Sequence, residues 1–457
     1  MTIQPTRREL LRLGGSGFGC LAFAGLATQL SAAEKSEFRS PLSPTEPHFP
    51  ARAKRVIFMF MQGGPSHIDT FDHKPELKSL AGKTSGGGKK GKNGRLMESP
   101  FKFNPHGESG LMLSELLPNL GKHADDLCLI NSMHTDNPAH PQATIMWHTG
   151  SINFVRPSIG SWVTYGLGSE NQDLPGFVTI SPTPNLGGAQ NYGSSFLPAA
   201  YQGTPIATGT SPIANIRGDK SHDHQRRHLD LVQRMNQGFM DRTSNKTELD
   251  GVIESYELAY RMQSAVPELM DVASESEETK ERYGINNKAS SDFGKQCLMA
   301  RRLSEAGVRF VEVTHRGWDQ HKALKTKLPA NCQAIDQPIA ALIQDLKDRG
   351  LFDDTLIVWS GEFGRTPMEQ NNFNGRRHNN RGYTAWLAGG AVKGGIRYGA
   401  TDPTGHEAVE NKVHTHDLHA TILHALGLDH EKLTYRYSGR DFRLTDVYGN
   451  VVKDILA

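Results

Sequence analysis

Four residues in three short segments carry the ligand mixture of a hydrolytic metal centre. Trp318-Asp319-Gln320-His321, Gly361-Glu362-Phe363-Gly364-Arg365 and Arg377-His378-Asn379 together offer Asp319, His321, Glu362 and His378. Carboxylates and imidazoles in this mixture suit a divalent cation that polarises an ester or activates water. Asp319 and His321 are one residue apart, so both reach one ion only from an extended or turn backbone, such as a loop after a strand. Glu362 stands in a glycine-rich turn, where Gly361 permits close approach of the backbone to an ion or an ester. Arg365 could instead pair with Glu362 as a structural ion pair. His378 lies among Arg376, Arg377 and Arg381, cations that suit a phosphate or sulfate ester. Read alone, it is a surface histidine among arginines.

Three further groups join these. His67 and Asp69 follow the turn Gly63-Gly64-Pro65-Ser66 and repeat the Asp/His alternation, so both are candidate ligands. His134, Asp136 and His140 precede a helix expected over Gln142 to Thr149, and a helix N-terminus favours anions. A nucleophile would be expected there; Thr144 and His140 are the residues available as catalytic groups. His414, His416 and His419 open a helix bearing Asp417, where a second metal site is conceivable, although Leu418, Ile422 and Leu423 mark that helix as mainly packing.

The elements that must position these groups alternate. Arg55 to Met61 is a continuous apolar run ended by Gln62-Gly63-Gly64-Pro65, as a central parallel strand would be. Further strands are expected at Leu127–Asn131, Leu174–Ile180, Val308–Val313, Leu356–Trp359 and Thr384–Ala388. Helices are expected at Leu113–Ala124, Lys295–Ala306, Ala334–Arg349 and His416–Leu426. A charged helical stretch at about 223–290 reads as an insertion. This order predicts a doubly wound, mostly parallel α/β sheet flanked by helices, with candidate ligands at the carboxyl ends of strands, where such sheets bind ligands.

Length and charge bound the rest. The 457 residues hold Lys+Arg 51 against Asp+Glu 49, and this balance gives no support to a nucleic-acid partner. Residues 1–33 read as a twin-arginine signal peptide: Arg7-Arg8, a mildly apolar stretch to Leu30, then Ser31-Ala32-Ala33 before Glu34. Cys20 is a conceivable lipidation site. Residues 34–54, with Pro41, Pro44, Pro47 and Pro50, read as a linker, and 55–457 as one domain. Gly82 to Gly94 reads as a solvated lysine-glycine loop. No later segment is apolar enough to span a bilayer. Three cysteines remain after cleavage, too few for a disulfide scaffold, though one bridge is possible.

These residues resemble the alkaline phosphatase and sulfatase superfamily. Ala341 to Gly364 is similar to the sulfatase run of a helix, a Gly-Leu…Thr-Leu connection and a strand ending in a metal-binding Asp, with Glu362 in the Asp position. His378 is similar to the late metal-binding histidine of the phosphatases. Asp319 and His321 resemble their Asp/His pair, with different spacing. Over nearly all of the mature chain, the sequence resembles a family of exported bacterial proteins of unknown function within this superfamily. Its signatures stand here as Gly63–Asp72, Trp318–His321, Gly361–Pro367 and His416–Thr421. Two departures matter. The superfamily's first-strand Asp is replaced by Gln62-Gly63, so His67 or Asp69 would have to substitute. The Cys/Ser-x-Pro-x-Arg nucleophile segment is absent, with Asn137-Pro138-Ala139-His140-Pro141 in its place, which argues against formylglycine chemistry.

The resemblance implies an alkaline phosphatase/sulfatase-like fold and an exported, metal-dependent hydrolase of phosphate or sulfate esters, periplasmic or secreted and exported folded. Asp319, His321, Glu362 and His378 would hold zinc or manganese rather than calcium, which prefers oxygen alone. Arg365 or Arg377 would neutralise the oxyanion, and the substrate would be an anionic small molecule or glycan ester. The alternative is a non-catalytic binding protein of the cell envelope on a degenerate scaffold.

Overall fold

Fully buried apolar runs make the central sheet. Its strands, in chain order, are β1 (Arg55–Met61), β2 (Leu127–His134), β3 (Phe177–Ile180), β4 (Thr204–Ile206), β5 (Phe310–His315), β6 (Thr355–Ser360), β7 (Tyr383–Ala388), β8 (Ile396–Tyr398) and β9 (Val413–His414). Every residue of β1 and β6 is buried, the pattern of strands covered on both faces. The computed structural model describes residues 40–84, 94–207, 221–240, 246–370 and 375–457. The expected signal peptide, Cys20, the first part of the linker and the centre of the lysine-glycine loop lie outside the described residues.

The strand order is β8-β2-β7-β6-β1-β5-β3-β4, with β9 also beside β2. Only β7 runs antiparallel to its neighbours, β2 and β6; the other pairings are parallel. The protein is therefore α/β with a central, mostly parallel sheet flanked by helices. The register pairs Met61 with His315, Phe60 with Ser360, and His134 with His414. The carboxyl ends of β1, β2, β5 and β6 thus emerge at one edge, where Tyr383 at the start of β7 meets Met133. Every candidate segment named above opens onto this edge.

The longer helices are α1 (His140–Thr149), α2 (Ile159–Leu167), α3 (His222–Met240), α4 (Lys246–Met270), α5 (Ser291–Glu305), α6 (Leu324–Asp348) and α7 (Thr415–Ala425). The expected helical insertion carries α3 and α4. α6 begins ten residues before the expected Ala334 and runs through Pro329 and Pro338. A proline within a helix removes a backbone hydrogen bond, and full burial of Leu324 and Leu328 in that first stretch offsets the loss.

Residues 41–54, expected as a linker, instead run along the domain. Leu42 and Ala53 are buried, and the Thr45, Phe49 and Arg52 amides donate to the carbonyls of Leu167, Gly427 and Ala425. Anchoring apolar residues and paired amides override the polar, proline-bearing composition. Cys128, Cys297 and Cys332 are free and buried. No helix among the described residues is long and apolar enough to cross a membrane.

Candidate metal centre

The turn after β1 must pass very close to the loop after β5, and glycine allows it. Gly63 has φ +120°, and a Cβ there would come within 2.6 Å of the Asp319 amide nitrogen and 2.8 Å of that of Trp318. Trp318 is itself fully buried, its indole N–H donating to His315 Nδ1 at 3.0 Å. It therefore anchors the loop that presents Asp319. Gly375 plays the matching part for the third segment: a Cβ there would lie 2.0 Å from the His321 carbonyl oxygen, so the chain bearing His378 lies directly against the one bearing His321. We expect Gly63→Ala to displace Asp319 and lower metal content in the purified protein; unchanged content would show that the close approach is dispensable.

Three histidines converge on one carboxylate oxygen. The Nε2 atoms of His321, His140 and His378 lie 2.9, 3.3 and 3.4 Å from Asp319 Oδ1. The four ligand atoms all lie within 4.8 Å of one another, the one such group among the described residues. Each imidazole turns its other nitrogen to an oxygen: His140 Nδ1 to Glu362 Oε1 at 2.5 Å, His321 Nδ1 to Gln370 Oε1 at 2.5 Å, and His378 Nδ1 to the Pro138 carbonyl at 2.7 Å. Those oxygens accept, so each Nδ1 carries a proton, and it is each Nε2 that is left to hold either a second proton or a cation. The Nε2 atoms of His140 and His378 are buried and without a hydrogen-bond partner. Nitrogens aimed together at a carboxylate repel it unless a proton or a cation lies between them, and Nδ1–H donation to an oxygen is the usual support of a metal-binding histidine. The donor set therefore fits a divalent cation. The Phe363 ring backs the group, 4.8 Å from His140 and 4.7 Å from His378 between centroids.

The electrostatics agree. Burial opposes charge on His140, but the Asp319 and Glu362 carboxylates beside its two nitrogens raise it to about 9. Burial would raise Asp319, yet His140, His378 and the Arg365 guanidinium hold it well below the usual carboxylate range. For His321, burial and the nearby Arg365 outweigh Asp319 and lower the pKa. A site that draws a proton onto a buried imidazole draws a metal ion by the same charges.

The structure places the other expected residues differently. Glu362, expected as a ligand, stands one step back: fully buried, it accepts from the Gly63 amide at 3.0 Å with both oxygens and holds His140 by Nδ1. His140, expected as a catalytic group, is instead one of the four residues whose ligand atoms come together. Arg365 is not a free oxyanion partner. It is fully buried, donates to Asp319 Oδ1 at 2.6 Å and binds the Gly63 and Gly64 carbonyls, tying the β1 turn to the ligand loop. Thr144 is fully buried one turn into α1. Arg377 is half-buried next to His378.

His67 and Asp69 do not join the group. Asp69 forms a fully buried ion pair with Arg376, at 2.7 and 3.0 Å, and accepts from Ser66 Oγ at 2.5 Å. His67 Nε2 meets the Gly405 carbonyl at 2.9 Å, and burial lowers its pKa. The later histidines form caps and packing: His414 Nδ1 accepts from the His416 amide at the start of α7, and His419 Nε2 meets the Trp147 carbonyl at 2.7 Å. Gln370 and Pro138 were missed because a supporting amide or carbonyl carries no signature of its own. The one usable sign was their nearness in sequence to Arg365–Met368 and His140.

Residues 53–456 match the family model described as a protein of unknown function (DUF1501). No curated protein matches the sequence. Among solved structures, the chain is similar to the C-terminal periplasmic domain of EcEptC from Escherichia coli in complex with Zn, at 10% identity over 85% of this chain and 88% of that one, TM-score 0.36. It is also similar to the PsFucS1 sulfatase from Pseudoalteromonas sp., at 14% identity over 83% and 69%, TM-score 0.34. A protein in the alkaline phosphatase superfamily from Vibrio parahaemolyticus is similar at 10% identity over 85% and 70%, TM-score 0.35. Likeness this distant says nothing about the reaction.

Proposed function

The chain belongs to the family described as a protein of unknown function (DUF1501), and from its site we propose an exported, metal-dependent hydrolase of phosphate or sulfate esters. The observation that carries this reading is the convergence of three tautomer-fixed Nε2 atoms on Asp319 Oδ1. His140, Asp319, His321 and His378 are the proposed ligands. Three imidazoles and one carboxylate favour zinc, with manganese next. The twin-arginine pattern at Arg7-Arg8 supports export to the periplasm or beyond.

A divalent cation bound there supplies Lewis acidity, polarising an ester oxygen and bringing the pKa of a water molecule towards neutrality. The chain's own residues prepare the place. Glu362 keeps the His140 Nδ1 proton and thereby its Nε2 lone pair. Arg365 offsets the Asp319 charge from the buried side, while the Asp319 side chain is 45% exposed on the other, so an ester approaches from there. Arg377 adds positive charge beside His378 for an anionic substrate. With Thr144 buried, water is the proposed nucleophile.

A second reading is a metal-holding binding protein without turnover. Four protein ligands complete a tetrahedral shell, as in structural zinc sites. Elemental analysis of the mature protein, paired with turnover of p-nitrophenyl phosphate and p-nitrophenyl sulfate, separates the two. Stoichiometric metal with turnover supports the hydrolase; metal without turnover supports the binding protein; a protein that takes up neither zinc nor manganese sinks both. Glu362→Gln is expected to fold normally and lose metal affinity by about 10–100-fold, the usual effect of removing such a support.

A further inference from the structure

Beyond the C-terminus of α1 lies a surface that the metal centre does not use. Phe154 is 65% exposed and Tyr437 49%, and large apolar groups left together in water mark interaction sites. Tyr435 and Tyr437 project from one face of the strand Tyr435–Tyr437, and both stack on Phe196, with centroids 6.0 and 5.1 Å away and planes 19° and 16° apart. Phe442, on the paired strand Arg440–Phe442, lies 5.0 Å from Phe196. These contacts pack the rings together while leaving Tyr437 half exposed.

Charge singles out one residue beside them. The neighbouring Arg436, Arg440 and Arg443 pair with Asp441, Asp446 and Glu431. Arg156 makes no ion pair among the described residues. Its guanidinium lies over the Phe442 ring at 4.2 Å and the Phe154 ring at 5.3 Å. A guanidinium packed on rings keeps its forked N–H donors, and such a fork matches the oxygens of a sulfate or phosphate group. Packed, partly exposed aromatic rings match the C–H faces of sugar rings. Neither feature alone selects a ligand; side by side they select a sugar chain that carries anionic groups.

We propose that this surface binds a sulfated or phosphorylated glycan, with sugar rings on Tyr437 and Phe154 and the anionic group on Arg156. The ten-residue helix α1, about 15 Å long, lies between Phe154 and His140 in the chain. An oligosaccharide is long enough to engage both regions. This deepens the proposed hydrolase by naming its substrate class, and rests on that reading only for the claim that the bound glycan is also cleaved.

The test is affinity electrophoresis of the zinc-loaded mature protein through gels containing dextran sulfate or uncharged dextran. Dextran sulfate is expected to retard the protein and dextran is not. The double variant Arg156→Gln/Tyr437→Ala is expected to bind dextran sulfate at least tenfold more weakly, with unchanged metal content, melting temperature and p-nitrophenyl ester turnover. Equal retardation by both polymers, no retardation, or a double variant that binds like the parent overturns the proposal. Retardation that depends on Arg156 and Tyr437 in a protein without ester turnover leaves the glycan surface standing and removes the hydrolase.

Discussion

Asp319→Asn is expected to leave the protein without stoichiometric metal and without ester turnover. Oδ1 of this residue is the atom on which three Nε2 atoms converge, at 2.9 to 3.4 Å, and to which Arg365 donates at 2.6 Å. The amide keeps the shape and removes the only anionic ligand. The fall in metal affinity should exceed the roughly 100-fold limit typical of an outer-shell partner, so Asp319→Asn must be worse than Glu362→Gln. Competition against a zinc chelator measures both. If Glu362→Gln were the more damaging change, Glu362 would be the ligand and His140 its proton-bearing neighbour.

The second large effect is on stability. Arg376→Met is expected to destabilise the protein by about 3–5 kcal/mol, the usual result of breaking a buried ion pair from one side. Both partners are fully buried, and Arg376 also donates to the Met97 carbonyl at 3.1 Å and the Pro367 carbonyl at 3.2 Å. Its loss strands the Asp69 charge with Ser66 alone. The pair Asp69→Leu/Arg376→Met should recover much of the loss, because no unpaired charge then remains. Urea unfolding followed by tryptophan fluorescence reports both. A cost below about 1 kcal/mol for the single variant, the value of an exposed pair, would mean that water reaches the site.

Much of the fold is legible because buried parallel strands advertise themselves. Arg55–Met61 and Thr355–Ser360 are apolar runs that few other structures tolerate, and the turns that end them locate the sheet edge. Asp319, His321 and His378 follow from that placement, and the structure brings them together. The exchange of roles between Glu362 and His140 is different. Both stand just past strands at the same edge, and only the three-dimensional register decides which faces Asp319 Oδ1. Asp69 and Arg365 misled for a related reason. Asp69 and Arg376 are 307 positions apart, so nothing local shows that each exists to neutralise the other. A charged residue's neighbours in sequence reveal its chemistry, whereas its use depends on a partner that folding supplies.

The Pro138 carbonyl that holds His378 lies 240 positions from it, and the proposed ligands come from three separate segments of the chain. A cation held by them would act as a removable cross-link between distant parts of the chain. It would bind the folded form and have no comparable site in the unfolded one, so occupancy adds to stability by mass action, about 2.7 kcal/mol at a free metal concentration one hundred times Kd. The melting temperature of this protein then becomes a gauge of metal supply. In a metal-poor compartment the same chain would be the more readily opened and degraded form of itself.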